Sequence, residues 1–480
     1  MDAPHVSRPL LERVEVTRDW GIEPVPLSQR KLSGLDMAVL WGDLGIGLLV
    51  LVTGALLVPG LGFGAAMSAV VLGSIVGVAL LALGAAAGAG HGIPTMVLLR
   101  PVVGIRGSWL PSTLNALQLV GWTAVELWAM SFVADLVAER VFGFSVRGAW
   151  LAIATIACTG LALWGPVGVT RVWMERFGAW VITGISIAVT LLVLTNDGIG
   201  QALSSSGTGG FPTFGPALDL VIAMPISWWP LVADYARFAD RPRSAFLGTF
   251  GGYLVANVWL YALGALLVLT AGADPSPAGI AAGVLAIAGG SIAGVLFLVG
   301  LLVGETDEAF ANMYSGAVAL QNIAPRVPYR VLVVAIAAIG ATLAAFLTME
   351  RYEVFLFLIG SVFVPLFGVL AADHFIVRRG VIETRDLYRR GGGYWYTGGI
   401  RIGSVVAWFL GVLVYHWIVP TGPAAWIDWV RGLIGTPLSE RFTWLGASIP
   451  SFLVAFAVAL VAGASQRVSS RPTDLSNQKR

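Results

Sequence analysis

Four carboxylates sit inside stretches that are otherwise apolar: Glu126 in QLVGWTAVELWAM, and Glu305, Asp307 and Glu308 in LLVGETDEAFANMYSGAVALQN. On a helix Glu305, Glu308, Asn312 and Ser315 share one face through their three- and four-residue spacing. Asp307 lies about 100° round from Glu308, next to that face. Trp122 and Glu126 are also four apart, so they stack on one face of their own helix. An indole beside a carboxylate suits a flat heteroaromatic ring, which stacks on the indole while the carboxylate accepts from a ring N–H or an exocyclic amine. A second deep tryptophan, Trp228, offers the same kind of face; the alternative for both indoles is the membrane-interface anchor, the usual role of tryptophan in such chains.

A carboxylate at the centre of a lipid-facing helix costs about 2.5–3.5 kcal/mol, so four of them are expected to face a hydrated interior. Apolar runs at 292–303 and 309–320 flank the acidic group and place it at mid-depth rather than at a watery helix end. Other chemistry is poorly served. Cys158 is the single cysteine, which excludes an intramolecular disulfide and a cysteine-held metal. The histidines at 5, 91, 374 and 416 share no ligand spacing, and neither HExxH nor GxSxG occurs, which argues against an enzyme.

The elements that must carry these residues are membrane helices. The chain has 480 residues, 57% hydrophobic and only 12% charged, with a mean hydropathy of +0.83. Soluble domains carry about 25% charged residues. Apolar runs of about 20 residues, each long enough to cross a bilayer, recur from Leu35 nearly to the C-terminus. Twelve spans are expected, at 36–58, 64–88, 109–136, 149–165, 177–196, 215–238, 245–271, 291–322, 330–348, 353–377, 403–420 and 447–465. The two termini and alternate connections hold 24 of the 29 basic residues, leaving Arg140, Arg147, Arg351, Arg431 and Arg441 on the other side. That bias places both termini in the cytoplasm. The polar, proline-containing first 30 residues do not read as a signal peptide. The expected organisation is a cytoplasmic tail at 1–34, one transmembrane domain at 35–465 and a cytoplasmic tail at 466–480.

Two spans carry helix breakers near their middle. The first contains LWGDLGIGLLVLVTG, with Gly42, Asp43, Gly45 and Gly47; the sixth contains AMPISWWPLVADYARF, with Pro225 and Pro230. Either could be a simple kink. Matched breaks five spans apart instead fit a carrier built from inverted repeats, whose two discontinuous helices frame a site at the bilayer midplane. A channel would want a repeated filter or a ring of pore-lining groups. A non-transporting sensor is the remaining rival. At the end of the sixth span Asp234 and Arg237, three apart, are expected to form a local ion pair, with a gate as the alternative.

The order LWGDLGIG…TG, then HGIPTMVLLRPVVGIRGSWLPSTLNALQLVGWTAVELW, then MPISWWPLVADYARF, then NMYSGAVALQN resembles the nucleobase:cation symporter-1 family over residues 20 to 420. Within it the chain is similar to the cytosine permease and hydroxymethylpyrimidine transporter branch. The resemblance implies an all-α fold of twelve transmembrane helices: a five-plus-five inverted repeat (about 35–197 and 214–378) with discontinuous helices 1 and 6, plus two extra helices at 403–465. It implies import of a nucleobase-like ring in symport with a monovalent cation, by a monomer in the plasma membrane, with no cofactor and no nucleic-acid partner.

Carried over residue by residue, it places the ion between spans 1 and 8, with backbone near Asp43 and Ile46 meeting Gly304, Asp307 and Glu308. Sodium-coupled relatives mostly have hydroxyl or amide side chains at these span 8 positions, so two carboxylates leave sodium and proton both open. The substrate is expected against Gly47, Leu48, Trp122, Glu126, Met224, Pro225, Trp228 and Asn312. Relatives often have a neutral residue in place of Glu126, which suggests an amine-bearing ring such as an aminopyrimidine.

Overall fold

The computed structural model describes residues 20–164, 179–290, 292–347 and 352–469. Of the basic residues counted above for orientation, Arg8, Arg13, Arg18, Arg171, Arg176, Arg351, Arg471, Lys479 and Arg480 lie outside them, as do residues 470–480 of the expected C-terminal tail. Among the described residues the chain is helical, with two isolated β-bridges and no strand.

Each expected span coincides with a helical segment. In order these are α1 (Gly34–Asp43) with α2 (Leu48–Leu56), α3 (Phe63–His91), α4 (Trp109–Phe142), α5 (Arg147–Trp164), α6 (Ala179–Leu194), α7 (Phe214–Trp228) with α8 (Val232–Ala236), α9 (Pro242–Ala271), α10 (Ile292–Ile323), α11 (Tyr329–Phe346), α12 (Tyr352–Ala371), α13 (Ile402–Ile418) and α14 (Ser448–Ser469). Among the described residues seven of the spans are long and apolar enough to cross a membrane as single helices, and α1 with α2 makes an eighth as a bent pair. The sequence pattern did not separate two further helices, Pro277–Ile287 and Ala424–Ile434.

The first span starts at a capping box, in which Ser33 accepts from the Asp36 amide at 3.2 Å and Asp36 accepts from the Ser33 amide at 2.7 Å. It stops at Asp43, where glycines at 42, 45 and 47 remove the side chains that would hold a helix together, and resumes at Leu48 after a 62° bend. The sixth span is interrupted at only one of its two prolines. Pro225 lies inside α7 without ending it, and the α-helix gives way only to a 3-10 turn, Trp229–Leu231, around Pro230. A proline frees the carbonyl four residues back; for Pro225 that is Val221, whose oxygen accepts from the Tyr261 hydroxyl at 3.5 Å. The whole of 214–236 still reads as one span.

Glycines let the backbones close up. Positions 73, 77, 84 and 88 of α3 face Val221, Pro225, Trp229 and Ala233, and a Cβ on any of them would overlap its neighbour. This is the small-residue packing that membrane helices use in place of a hydrophobic drive. The N-terminal stretch lies against the same end of the bundle: Leu32 bridges Ala239, and Arg30 donates to the carbonyls of Ala89 at 3.2 Å and His91 at 2.9 Å.

Candidate functional site

Helices α4, α7 and α10 border a narrow cavity of about 10 Å³, lined by Trp122, Glu126, Met224, Ser227, Trp228, Glu308 and Asn312. The indoles are held by edges. Trp122 meets Phe355 at 5.2 Å and Tyr352 at 6.2 Å between ring centres, while Trp228 meets Trp41 at 6.1 Å. The Tyr352 hydroxyl also reaches Thr53 Oγ1 at 3.1 Å and Met224 Sδ at 3.7 Å, which ties this wall to α2. Trp122 Nε1 is buried and has no hydrogen-bond partner.

Glu126, Glu305 and Glu308 each bring a carboxylate oxygen within 4.8 Å of the others. All three are buried. The amide of Leu48, freed by the break before α2, donates to Glu305 Oε1 at 2.5 Å. Gly47 carries no side chain where a Cβ would overlap the Glu308 carboxylate. Asp43 and Asp307, both buried, are neighbours one step further along. Among the described residues no Lys, Arg or His forms an ion pair with any of these five acids.

Elsewhere a buried carboxylate is handled differently. Asp373, close after α12, accepts from Arg378 Nε at 2.6 Å and is also paired with Arg401. Burial alone would pull Arg378 below its ordinary value, but Asp373 beside it lifts it above. The five acids of the core have no such cation built in.

Of the residues singled out in the sequence, Trp122, Glu126, Met224, Trp228, Asn312 and Glu308 line the cavity, while Gly47 and Leu48 do not line it but lie against the Glu308 and Glu305 carboxylates. Pro225 does not line it; its ring packs on Gly77 of α3. Asp43 and Asp307 come together, and Ile46 follows in the same turn, its amide donating to the Asp43 carbonyl at 2.8 Å. The missing side chain of Gly304 faces Ile182 of α6. Glu308 belongs with Glu126 and Glu305 more than with the aspartates.

Glu305 was marked by its spacing from Glu308 but not assigned to the site; Ser227, whose hydroxyl donates to the Met224 carbonyl at 2.6 Å, gave no signal at all. The expected Asp234–Arg237 ion pair is replaced by other bonds. Asp234 accepts from the Thr95 amide at 3.0 Å, and Arg237 donates to the carbonyls of Asp234 and Gly21 and to the Tyr314 hydroxyl.

Comparison with known proteins points one way. Residues 24–433 match the family described as permease for cytosine/purines, uracil, thiamine, allantoin. A hydantoin permease of Microbacterium maritypicum is 25% identical over 451 residues, covering 89% of each chain. A cytosine permease of Escherichia coli is 27% identical over 307 residues, covering 61% of this chain and 66% of its own. Among solved structures, a nucleobase-cation-symport-1 family transporter in a closed conformation with bromovinylhydantoin bound superposes with a TM-score of 0.79. It is 21% identical, and the match covers 95% of this chain and 97% of that one. A Na+-coupled sialic acid symporter shares the fold more loosely, with a TM-score of 0.62 at 12% identity, over 95% of this chain and 93% of that one.

Proposed function

The chain belongs to this family of permeases, and we propose that it imports a nucleobase-like heteroaromatic ring across the cell membrane, by cation symport and alternating access. The observation that carries the reading is the cavity itself, where two indoles, two carboxylates and an amide converge beside a bent helix. Unwound backbone at such a depth is tolerated where it lines a site. Glu126 and Glu308 are acceptors when ionised, so they favour a ring rich in donors: cytosine or an aminopyrimidine before an oxo-only ring. The relatives are named for hydantoin, purine and uracil, cytosine and allantoin, all of them small nitrogen-ring compounds.

In this reading Trp122, Trp228, Met224 and Asn312 hold the ring, Gly47 and Leu48 border it, and Asp43, Ile46 and Asp307 take the coupling ion. The segments 35–197 and 214–378 act as the two repeats, and the carrier works as a monomer. Both termini are cytoplasmic, as the distribution of 24 of the 29 basic residues supports. Sodium is the proposed ion. A proton is the second reading, favoured by five buried acids without a basic partner among the described residues.

Uptake into proteoliposomes tests the function, since a sensor would bind without accumulating. Glu126→Gln is expected to weaken uptake of cytosine more than of uracil, and Trp122→Ala to remove about 1–3 kcal/mol of ring affinity. Wild-type rates in both variants would defeat the site. Calorimetry of ring binding across sodium and pH decides the ion: affinity that rises with sodium at fixed pH favours sodium, and affinity that falls as pH rises, without a sodium effect, favours the proton.

A further inference from the structure

The three glutamates of the core come from two helices, Glu126 from α4 and Glu305 and Glu308 from α10, so their convergence is not a by-product of spacing along one helix. Each is more than nine-tenths buried. Oε1 of Glu305 is taken by the Leu48 amide. Oε2 of Glu305 and Oε2 of Glu126, on facing helices, find no donor outside the carboxyl cluster among the described residues. Buried acceptors left so are rare, because the loss of water has to be compensated by something else. A single proton bridges only two of the three carboxylates. A metal ion takes one oxygen from each.

We propose that Glu126, Glu305 and Glu308 form a cation-binding site of their own, separate from the Asp43–Asp307 pair and opening through Glu126 and Glu308 onto the ring cavity. The donors are all oxygen and all anionic, which suits a hard cation, sodium or calcium, rather than a thiophilic one. Its occupant touches both the ring and, through Glu305 and the Leu48 amide, the start of α2. The inference builds on the carrier reading but is tested without a ring, so the two fail separately.

The experiment is equilibrium binding of radioactive sodium and, in a separate arm, radioactive calcium to the purified full chain in lipid nanodiscs. Saturable binding of one ion is expected, lost in Glu305→Gln and in Glu126→Gln and retained in Asp307→Asn. If sodium also fills the aspartate pair, the wild type holds two equivalents and Glu305→Gln one. Thermal unfolding of each variant shows whether it is folded; should Glu305→Gln not fold, Glu126→Gln on the other helix carries the test. Absence of saturable binding of both ions to the wild type, the result if the cluster takes only protons, overturns the proposal. So does unchanged stoichiometry in the folded glutamine variants. Failure of ring uptake in the same preparations would strike the carrier reading and leave the ion site standing.

Discussion

The two interruptions in the spanning helices solve opposite problems. In the sixth span, 3-10 geometry at Trp229–Leu231 leaves polar backbone groups without helical partners, and fixed side chains answer them. Gln118 donates to Ser227 at 3.1 Å, Asn115 to Pro230 at 3.3 Å and Tyr261 to Val221 at 3.5 Å, while the Ala233 amide finds Thr95 Oγ1 at 3.0 Å. In the first span the bend frees an amide, and a carboxylate answers it with one oxygen while the other finds no donor outside the carboxyl cluster among the described residues. The sixth-span break is answered by neutral side chains, of which Gln118 keeps a buried Oε1 without a partner among the described residues. The first-span break ends in groups that still have bonding capacity, in contact with a cavity. A broken helix is thus not in itself a binding feature; what matters is whether the groups that repair it carry a charge that no basic residue among the described ones matches.

The largest effect is expected from Glu305→Ala, which removes the partner of Leu48. An unanswered buried amide costs about 1–3 kcal/mol, and ring uptake should be abolished while Glu305→Gln, which keeps an acceptor oxygen, stays near wild-type thermal stability. If Glu305→Ala transports normally, the first-span break is as self-contained as the sixth. Next comes Gly47→Ala. Its Cβ would overlap the Glu308 carboxylate, so about 1–3 kcal/mol of overpacking strain is expected, read as weaker ring binding in calorimetry.

Asn115→Leu and Gln118→Leu should behave in the other manner, lowering the unfolding temperature by the equivalent of about 0.5–1.5 kcal/mol each with little change in cation dependence. A shift in that dependence would erase the distinction between the two breaks. Tyr261→Phe is the mildest: its bond is long, and a loss of about 0.5 kcal/mol is expected, measurable as a small drop in the same melting curve.

Much of this was legible in the sequence for simple reasons. Length and apolarity suffice to find helices in lipid, and Gly42, Gly45 and Gly47 around Asp43 announce a break that no neighbour can conceal. Pro230 interrupts the sixth span and Pro225 does not, because the cost of a proline depends on who meets the freed carbonyl, and Tyr261 is 36 positions away. Asp234 and Arg237 have the spacing of an ion pair, but Thr95 and Gly21, both remote in sequence, compete for them successfully. Glu305 lay on the right helical face, yet its partner is an amide 257 positions earlier, and backbone amides leave no trace in residue types.

The glycines of α3 have a mechanical consequence. Because side-chain-free positions at 73, 77, 84 and 88 lie directly on α7, the 3-10 turn and α8, these helices cannot slide past one another without collision, and spans 2 and 6 must travel as one lever in any rocking motion of the carrier. The joint of that lever then falls on the four residues between α1 and α2. A disulfide placed across the α3–α7 seam should leave transport running, whereas one that pins residues 44–47 to α10 should stop it.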